Sequence, residues 1–264
     1  MLLQRILSTV ILLPIVLWAT VAGGNWFSLL VGVAALLAAY EFYRLVVIYG
    51  HFPSFSIGLT LTALLLLDGY YPGLAIARCS VVAAVGLLMV EQVFRGNRPG
   101  ALASWGLTLS GALYVGGMGS HLILARNLPQ GLQWVLLTFA VAWSSDSAAY
   151  FFGSRWGRRK LAPQISPNKT WEGALAGLLF GIAASIIVGH ALLGLDALTG
   201  LMLGALLTVA AVFGDLAKSL IKRQAGVKDS GNLIPGHGGM LDRIDSLLFA
   251  GVVTYYYALW AVLK

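Results

Sequence analysis

The sequence predicts an all-α fold, a polytopic membrane helix bundle with about nine transmembrane helices. Composition points to this class, because 59% of the 264 residues are hydrophobic and only 10% are charged. A soluble globular domain carries about 25% charged residues, and the mean hydropathy of +0.85 agrees with a chain surrounded mostly by lipid. Since lipid tolerates only helices and closed barrels across its core, we interpret the apolar stretches as helices.

Nine apolar stretches approach the length of about 20 residues that a spanning helix needs, and the third is the shortest. They cover residues 6–23, 26–48, 54–68, 74–92, 101–124, 132–152, 172–195, 198–220 and 245–263. No low-complexity tract and no soluble linker between them is long enough to indicate a second domain. We therefore predict one integral membrane domain over residues 1–264.

The basic residues are distributed unevenly between the two predicted sides of the bundle. With nine spans, all but three of the 17 Lys and Arg residues fall on the side that carries the N-terminus; the exceptions are Arg78, Arg126 and Lys264. The positive-inside rule assigns the basic side to the cytoplasm. The prediction is a multi-pass protein of the cell's inner (plasma) membrane, with its polar cluster facing the cytoplasm.

That polar cluster arises from two helix ends. Side chains at i, i+3, i+4 and i+7 share one helical face, and this spacing holds for Asp215, Lys218, Ser219 and Lys222 near the end of the eighth stretch, with Arg223 one position round. Asp242, just before the ninth stretch, and Asp245, its first residue, are again three apart and mark the opening of the ninth helix. An ordinary membrane helix would carry Leu or Ala at these positions. We expect these groups to converge at the cytoplasmic ends of neighbouring helices.

Other polar residues precede this cluster. Asp146 lies inside the sixth apolar stretch, where a carboxylate needs a cation or several donors to offset its cost. In the following loop Lys169 is a candidate for binding a phosphate, and Thr170 is expected to cap the next helix. For Glu172, a capping role in the first turn and a role at the site stay open. On the second stretch, Glu41 and Arg44 are three apart; an ionisable pair inside a membrane can be functional, and a structural ion pair is the favoured interpretation.

Carboxylates from two helix ends are hard oxygen ligands that suit Mg²⁺, which is typically held by one or two carboxylates and substrate phosphates. The single cysteine, Cys79, excludes a cysteine-based metal site. Lys and Arg would clamp phosphate oxygens, and a glycine-rich loop that includes Gly238 and Gly239 lets backbone amides approach an anion. These parts suit phosphoryl or nucleotidyl transfer. No nucleic-acid motif is present, so we expect no nucleic acid as a partner.

The stretch "SLIKRQAGVKDSGNLIPGHGGMLDRIDS", residues 219–246, resembles the signature of the phosphatidate cytidylyltransferases, also called CDP-diacylglycerol synthases. Fourteen positions match: Ser219, Lys222, Arg223, Lys228, Asp229, Gly231, Pro235, Gly236, His237, Gly238, Gly239, Asp242, Arg243 and Asp245. "DSAAYFFG", "SPNKTWEG" and "EFYRL" are also similar to elements of the family. Residues 131–264 are thus the expected catalytic helices, and residues 1–130, the N-terminal helices, resemble the family only weakly.

The resemblance implies transfer of the cytidylyl group of CTP to phosphatidate, giving CDP-diacylglycerol and pyrophosphate. It implies Mg²⁺ on Asp215, Asp242 and Asp245, and a second cation, with K⁺ as the candidate. Asp146 either binds that second cation or supports the site from the sixth stretch. The implied phosphate-binding groups are Lys169, Lys218, Lys222, Arg223, Lys228, Gly238, Gly239 and Arg243. Ser219 is the implied hydrogen-bond donor, and His237 either donates to the leaving group or shapes the turn. The expected partners are CTP, phosphatidate and the membrane, and a homodimer is left open.

Two other functions stay open at this point. A CTP-dependent lipid kinase would use similar chemistry on the γ-phosphorus and release CDP. A cation-coupled transporter would use the aspartates as ion ligands, although transporters place such groups near the bilayer midplane and often have repeated halves.

Overall fold

The structure is a computed structural model, and it describes residues 2–233 and 238–262. These residues are predominantly helical, as the sequence predicts. The helices are α1 (Leu2–Ala22), α2 (Gly24–Ile48), α3 (Phe55–Tyr70), α4 (Ile76–Arg95), α5 (Ala101–Ala112), α6 (Met118–Asn127), α7 (Gly131–Trp156), α8 (Trp171–Leu193), α9 (Ala197–Gln224) and α10 (Leu241–Tyr257). Short 3₁₀ and π turns cover Pro72–Leu74 and Ala258–Val262.

Helices α5 and α6 form one continuous helix, because a π-helical segment, Leu113–Gly117, joins them. The described residues therefore contain nine continuous helical stretches near the nine predicted ones. Six of these are long and apolar enough to cross a membrane, while α1 contributes a shorter apolar helix at Ser8–Ala22 and α3 has only 16 residues. The all-α, multi-pass membrane class is confirmed, and the number of nine spans stays a prediction.

The outer surfaces of the helices are apolar. The side chain of Phe94 is 86% exposed, that of Val93 78% and that of Leu102 72%. Water would penalise such surfaces at about 25 cal/mol per Å², whereas lipid tails are as apolar as the side chains themselves. These helices are therefore suited to a lipid environment.

The chain divides into two compact units. The first contains Met1–Leu124 and Ile221–Ile244, and the second contains Ala125–Leu220 and Asp245–Lys264. In the first unit Leu61, Leu65, Ala84 and Ala112 form a buried apolar cluster. In the second, a cluster is built by α7, α9 and α10, and its fully buried members include Trp134, Leu137, Val141, Leu203, Leu207 and Ala250.

A two-stranded antiparallel hairpin connects α7 to α8 where the sequence analysis expected only a loop. It consists of β1 (Lys160–Ala162) and β2 (Ser166–Thr170), with Lys160 paired to Thr170. Pro167 can lie in β2 because an edge position does not require its missing N–H. The strands are too short for their alternation to be recognised in the sequence. The hairpin positions Lys169 just before α8 begins.

The start of α8 is fixed by the cap that the sequence predicts. The Oγ1 atom of Thr170 accepts a hydrogen bond of 3.2 Å from the backbone N–H of Gly173. Glu172, in the first turn, accepts hydrogen bonds from the backbone N–H groups of Arg158 (3.1 Å) and Arg159 (3.2 Å). Glu172 thus ties the hairpin to the positive end of the α8 dipole.

Helices α7 and α8 lie in close contact along a row of glycines on α8. A Cβ atom added to Gly173 would lie 2.7 Å from the carbonyl oxygen of Ala149, and one added to Gly177 would lie 3.0 Å from that of Ser145. Any side chain at these two positions would push the helices apart. The small residues therefore set the distance between the two helices that border the cavity described below.

The N-terminus of α9 is capped by Asp196, which lies in the connection after α8. Its carboxylate accepts hydrogen bonds from the backbone N–H groups of Leu198 (2.9 Å) and Thr199 (3.0 Å) and from the Thr199 hydroxyl (2.6 Å). These bonds hold the pKa of Asp196 below its usual range, led by the Thr199 hydroxyl. The cap fixes where α9 begins. The polar residues of this helix lie near its other end.

Candidate active site

Three elements of the second unit bring four charged groups together. The Nζ atom of Lys218 on α9 lies 2.8 Å from Asp215 Oδ1 and 2.6 Å from Asp245 Oδ2. Lys169 on β2 reaches the other oxygen of Asp215, with an Nζ to Oδ2 distance of 2.5 Å. Asp245, on α10, is only 4% exposed and Lys218 only 7%. Two carboxylates therefore face one ammonium group that is almost removed from solvent.

The local sequence explains this arrangement in part. Asp215 and Lys218 are three residues apart on α9, so they share a helical face and can pair directly. Asp245 lies in the second turn of α10, since that helix begins at Leu241. Burial of Lys218 without partners would be costly, and the two carboxylates balance its charge. The network is continuous because Asp215 pairs with both lysines and Lys218 pairs with both carboxylates.

A cavity of about 590 Å³ opens beside this network within the second unit. Its charged lining consists of Asp146 on α7, Lys160 and Lys169 on the hairpin, and Asp215 on α9. Asn168 and several glycines complete its polar wall. The cavity combines amines that can bind phosphate oxygens with carboxylates that can bind a cation. It is large enough for a small polar ligand.

In the first unit, Asp242 is held by donors from three positions. Lys222 Nζ lies 2.6 Å from Asp242 Oδ1, while Oδ2 accepts from the backbone N–H (3.0 Å) and the hydroxyl (2.9 Å) of Ser230. The N–H of Gly239 lies 3.4 Å from Oδ2. Asp242 and Lys222 are each 9% exposed. The carboxylate is therefore fixed in one orientation before any ligand binds.

Glu41 on α2, for which the sequence favours a structural ion pair, contacts the signature segment directly. Its carboxylate accepts hydrogen bonds from Ser230 Oγ, from Met240 N and from Leu241 N, each at 2.9 Å. Glu41 is buried at 4% exposure, whereas Arg44, its expected partner, is exposed. The structural ion pair with Arg44 is therefore not the main role of Glu41. The "EFYRL" resemblance was the signal that could have found it.

The remaining predicted site residues take less constrained positions. Ser219 is buried at 9% exposure, while Arg223, Lys228 and Arg243 are exposed cations, and Arg223 donates to the carbonyl of Val227 (3.3 Å). Gly238 has a φ of +81°, which glycine adopts without strain. His237 lies outside the described residues.

The donor set fits a divalent cation in its chemistry. Asp215 and Asp245 offer only hard oxygens, and both already direct an oxygen at the same positive charge, that of Lys218. Such ligands suit Mg²⁺. Among the described residues, no group of three or more His, Cys, Asp and Glu side chains is arranged to hold a metal ion without rearrangement. A bound ion would therefore have to replace a lysine at these carboxylates.

Comparisons with known proteins cover nearly the whole chain. A family model described as the cytidylyltransferase family matches residues 3–261. A phosphatidate cytidylyltransferase of Brucella suis biovar 1 (strain 1330) is 35% identical over 96% of this chain and 92% of its own length. Those of Pseudomonas aeruginosa and Bacillus subtilis (strain 168) are 36% and 34% identical, over 99% and 96% of this chain and 98% and 96% of their own lengths.

Proposed function

Because the chain belongs to the cytidylyltransferase family, we propose that it is a membrane nucleotidyltransferase that makes CDP-diacylglycerol from CTP and phosphatidate. The observation that carries this conclusion is the nearly full-length similarity to several bacterial proteins named phosphatidate cytidylyltransferase. The multi-pass helical fold suits a lipid substrate, whose acyl chains can stay in the bilayer while its phosphate reaches the polar groups.

The reaction requires little proton transfer. An ionised phosphate oxygen of phosphatidate attacks the α-phosphorus of CTP, a new P–O bond forms, and the bond from that phosphorus to the β-phosphate bridging oxygen breaks. Pyrophosphate leaves with the electron pair. Because both reactants are polyanions, the protein must mainly bring them together and neutralise the charge that builds up on the leaving group. The lysines of the cavity, Lys160 and Lys169, are suited to that task.

We assign Mg²⁺ to Asp215 and Asp245, which lie on either side of the Lys218 ammonium. Asp242 is the third proposed ligand on the strength of its place in the signature, one helical turn before Asp245. When bound, the ion supplies positive charge to phosphate oxygens. Asp146, which lines the cavity beside Asp215, is the proposed contact for a second cation, with K⁺ as the candidate.

The phosphate contacts are assigned to cations of the signature, of α9 and of the hairpin. Lys218 and Lys169 are already near the carboxylates, so they can turn to a phosphate when a metal ion takes their place. The other proposed contacts are Lys222, Arg223, Lys228, Arg243 and the backbone of Gly238 and Gly239, with Ser219 as a hydrogen-bond donor. His237 keeps its two proposed roles, donor to the leaving group or shaper of the turn.

We place the protein in the cell's inner (plasma) membrane, with the site on the cytoplasmic side. The distribution of Lys and Arg supports this orientation through the positive-inside rule. CTP is a cytoplasmic metabolite, so a site on that face has direct access to it.

The direct test is purified protein in detergent with labelled CTP and phosphatidate. We expect labelled liponucleotide and pyrophosphate in equal amounts. Release of CDP with a phosphorylated lipid would identify a lipid kinase, and cation flux through liposomes without CTP would identify a transporter. Either result would replace the proposed function.

Lys222→Ala is expected to weaken the handling of a phosphate substrate. Lys222 Nζ is 2.6 Å from Asp242 Oδ1 and both residues are buried, so the variant loses a cation at the site and also leaves a buried carboxylate unpaired. We expect the KM for CTP or for phosphatidate to rise by about tenfold, the loss of roughly one charged hydrogen bond. Steady-state kinetics with each substrate varied in turn would measure this.

Arg78→Ala serves as the control for Lys222→Ala, because Arg78 is an exposed cation of α4 outside the signature. It should leave both KM values unchanged. Unchanged KM values in Lys222→Ala would remove Lys222 from the phosphate contacts.

A further inference from the structure

Glu41, on α2, accepts hydrogen bonds from residues on both sides of the glycine-rich loop, residues 231–239 of the signature. Its Oε2 atom accepts from Ser230 Oγ, before the loop, and from Leu241 N, after it, while Oε1 accepts from Met240 N. The chain separation from Glu41 to these donors is 189 to 200 residues. One buried carboxylate thus holds Ser230 and the start of α10 in place relative to each other.

The same carboxylate is coupled to Asp242 through a single side chain. Ser230 Oγ lies 2.9 Å from Glu41 Oε2 and 2.9 Å from Asp242 Oδ2, so its one hydroxyl hydrogen is shared between two acids. The backbone N–H of Ser230 also donates to Asp242. A shift of Ser230 would therefore move two of the donors that hold Asp242.

Burial of Glu41 is costly unless donors surround it. The three donors offset that cost. The backbone N–H groups belong to Leu241, the first residue of α10, and to Met240 just before it, where the helix dipole favours a negative charge. The loop also leaves room for Glu41, since a Cβ atom on Gly239 would collide with Ser230 Oγ and with the Glu41 carboxylate. Glycine at position 239 therefore leaves the space that the Glu41 carboxylate occupies.

We infer that Glu41 is a positioning residue, which orients the proposed metal ligand Asp242 through Ser230 and the N-terminus of α10. The inference rests on the proposed function, and it adds a residue of the N-terminal half to the machinery of the C-terminal signature. Glu41 touches neither substrate nor metal in this role. Its effect on the rate comes from the position of Asp242, because a ligand held about 1 Å out of place can lower the rate by about 10²-fold.

The test compares Glu41→Gln with the wild-type protein, full length in detergent. The glutamine side chain has the same shape, but its NH₂ group replaces one carboxylate oxygen and faces groups that are themselves donors. We therefore expect Ser230 or the start of α10 to shift. We expect kcat to fall by roughly 10- to 100-fold, with the KM for CTP within about twofold. The Mg²⁺ concentration for half-maximal rate should rise by about tenfold, as when groups that orient metal ligands are removed.

A second measurement does not depend on turnover. The rise of the thermal unfolding midpoint with added Mg²⁺, without substrate, reports metal binding. We expect this curve to shift to higher Mg²⁺ in Glu41→Gln. If the wild-type protein lacked Mg²⁺-dependent turnover, the proposed function would fail, while this titration would still decide whether Glu41 supports metal binding.

Two further variants separate positioning from stability. Ser230→Ala removes only the hydroxyl bridge, and should shift the Mg²⁺ response in the same direction even if Glu41→Gln does not fold. Glu91→Gln is the matched control, since Glu91 is a partly buried carboxylate of the same unit, paired with Arg95 at 2.8 Å. It should keep wild-type kcat and Mg²⁺ response. A wild-type response in Glu41→Gln, or the same changes in Glu91→Gln, would overturn the inference.

Discussion

Asp245→Asn is expected to abolish turnover, with kcat lowered by at least about 10³-fold, which corresponds to roughly 4 kcal/mol of transition-state stabilisation. The asparagine keeps the size of the side chain but removes the negative charge. Asp245 is 4% exposed and its Oδ2 atom lies 2.6 Å from Lys218 Nζ. The variant loses a proposed metal ligand and also leaves the buried ammonium with one carboxylate partner instead of two.

Size-exclusion chromatography and circular dichroism would establish that the variant is a folded membrane protein, and labelled CTP would measure turnover. Asp196→Asn is the matched control, because it makes the same exchange at an exposed aspartate that caps α9. It should lower stability slightly and leave kcat near wild type. Full activity in Asp245→Asn would refute the assignment of this carboxylate to the metal.

Removal of divalent ions with a chelator is expected to stop the reaction, and added Mg²⁺ to restore it. We expect a loss of at least about 100-fold, because a bound ion contributes several kcal/mol of charge stabilisation to the transfer. Without it, the buried lysines that oppose the repulsion between two polyanionic substrates are already engaged by Asp215, Asp242 and Asp245. Pyrophosphate release would be followed before chelation, after it and after Mg²⁺ is returned.

The control for chelation is the chelator saturated beforehand with Mg²⁺, which should leave the rate unchanged. Activity that is indifferent to the free chelator would contradict a metal-assisted mechanism. Recovery with K⁺ alone would instead assign the essential role to the second proposed cation.

The helices follow from the sequence because lipid leaves few alternatives for apolar segments of about 20 residues. The ends of the helices are predicted less accurately. For example, α10 begins at Leu241, four residues before the predicted stretch. The hairpin of β1 and β2 could not be predicted, because strands of three and five residues contain too few alternations. Its pairing depends on contacts at the start of α8 that no local pattern contains.

Within the candidate site, a contact could be predicted where helical spacing determines it. Asp215 and Lys218 pair at i and i+3, and the order and spacing of the signature residues carried the resemblance to the family. Glu41 could not be placed in the same way, because its donors are 189 or more residues away. Arg44 offered a nearer partner, and only the tertiary fold decides between a neighbour in sequence and the N-terminus of a distant helix.

The glycine contacts between α7 and α8 have a consequence for how this protein could be engineered. Larger residues at Gly173 or Gly177 would wedge the two helices apart, so that wall of the cavity cannot be reshaped by simple substitution. The hairpin wall differs, because Lys160 and Asn168 are exposed. Attempts to change ligand preference have the best prospects in the hairpin, where new side chains meet solvent rather than a packed backbone.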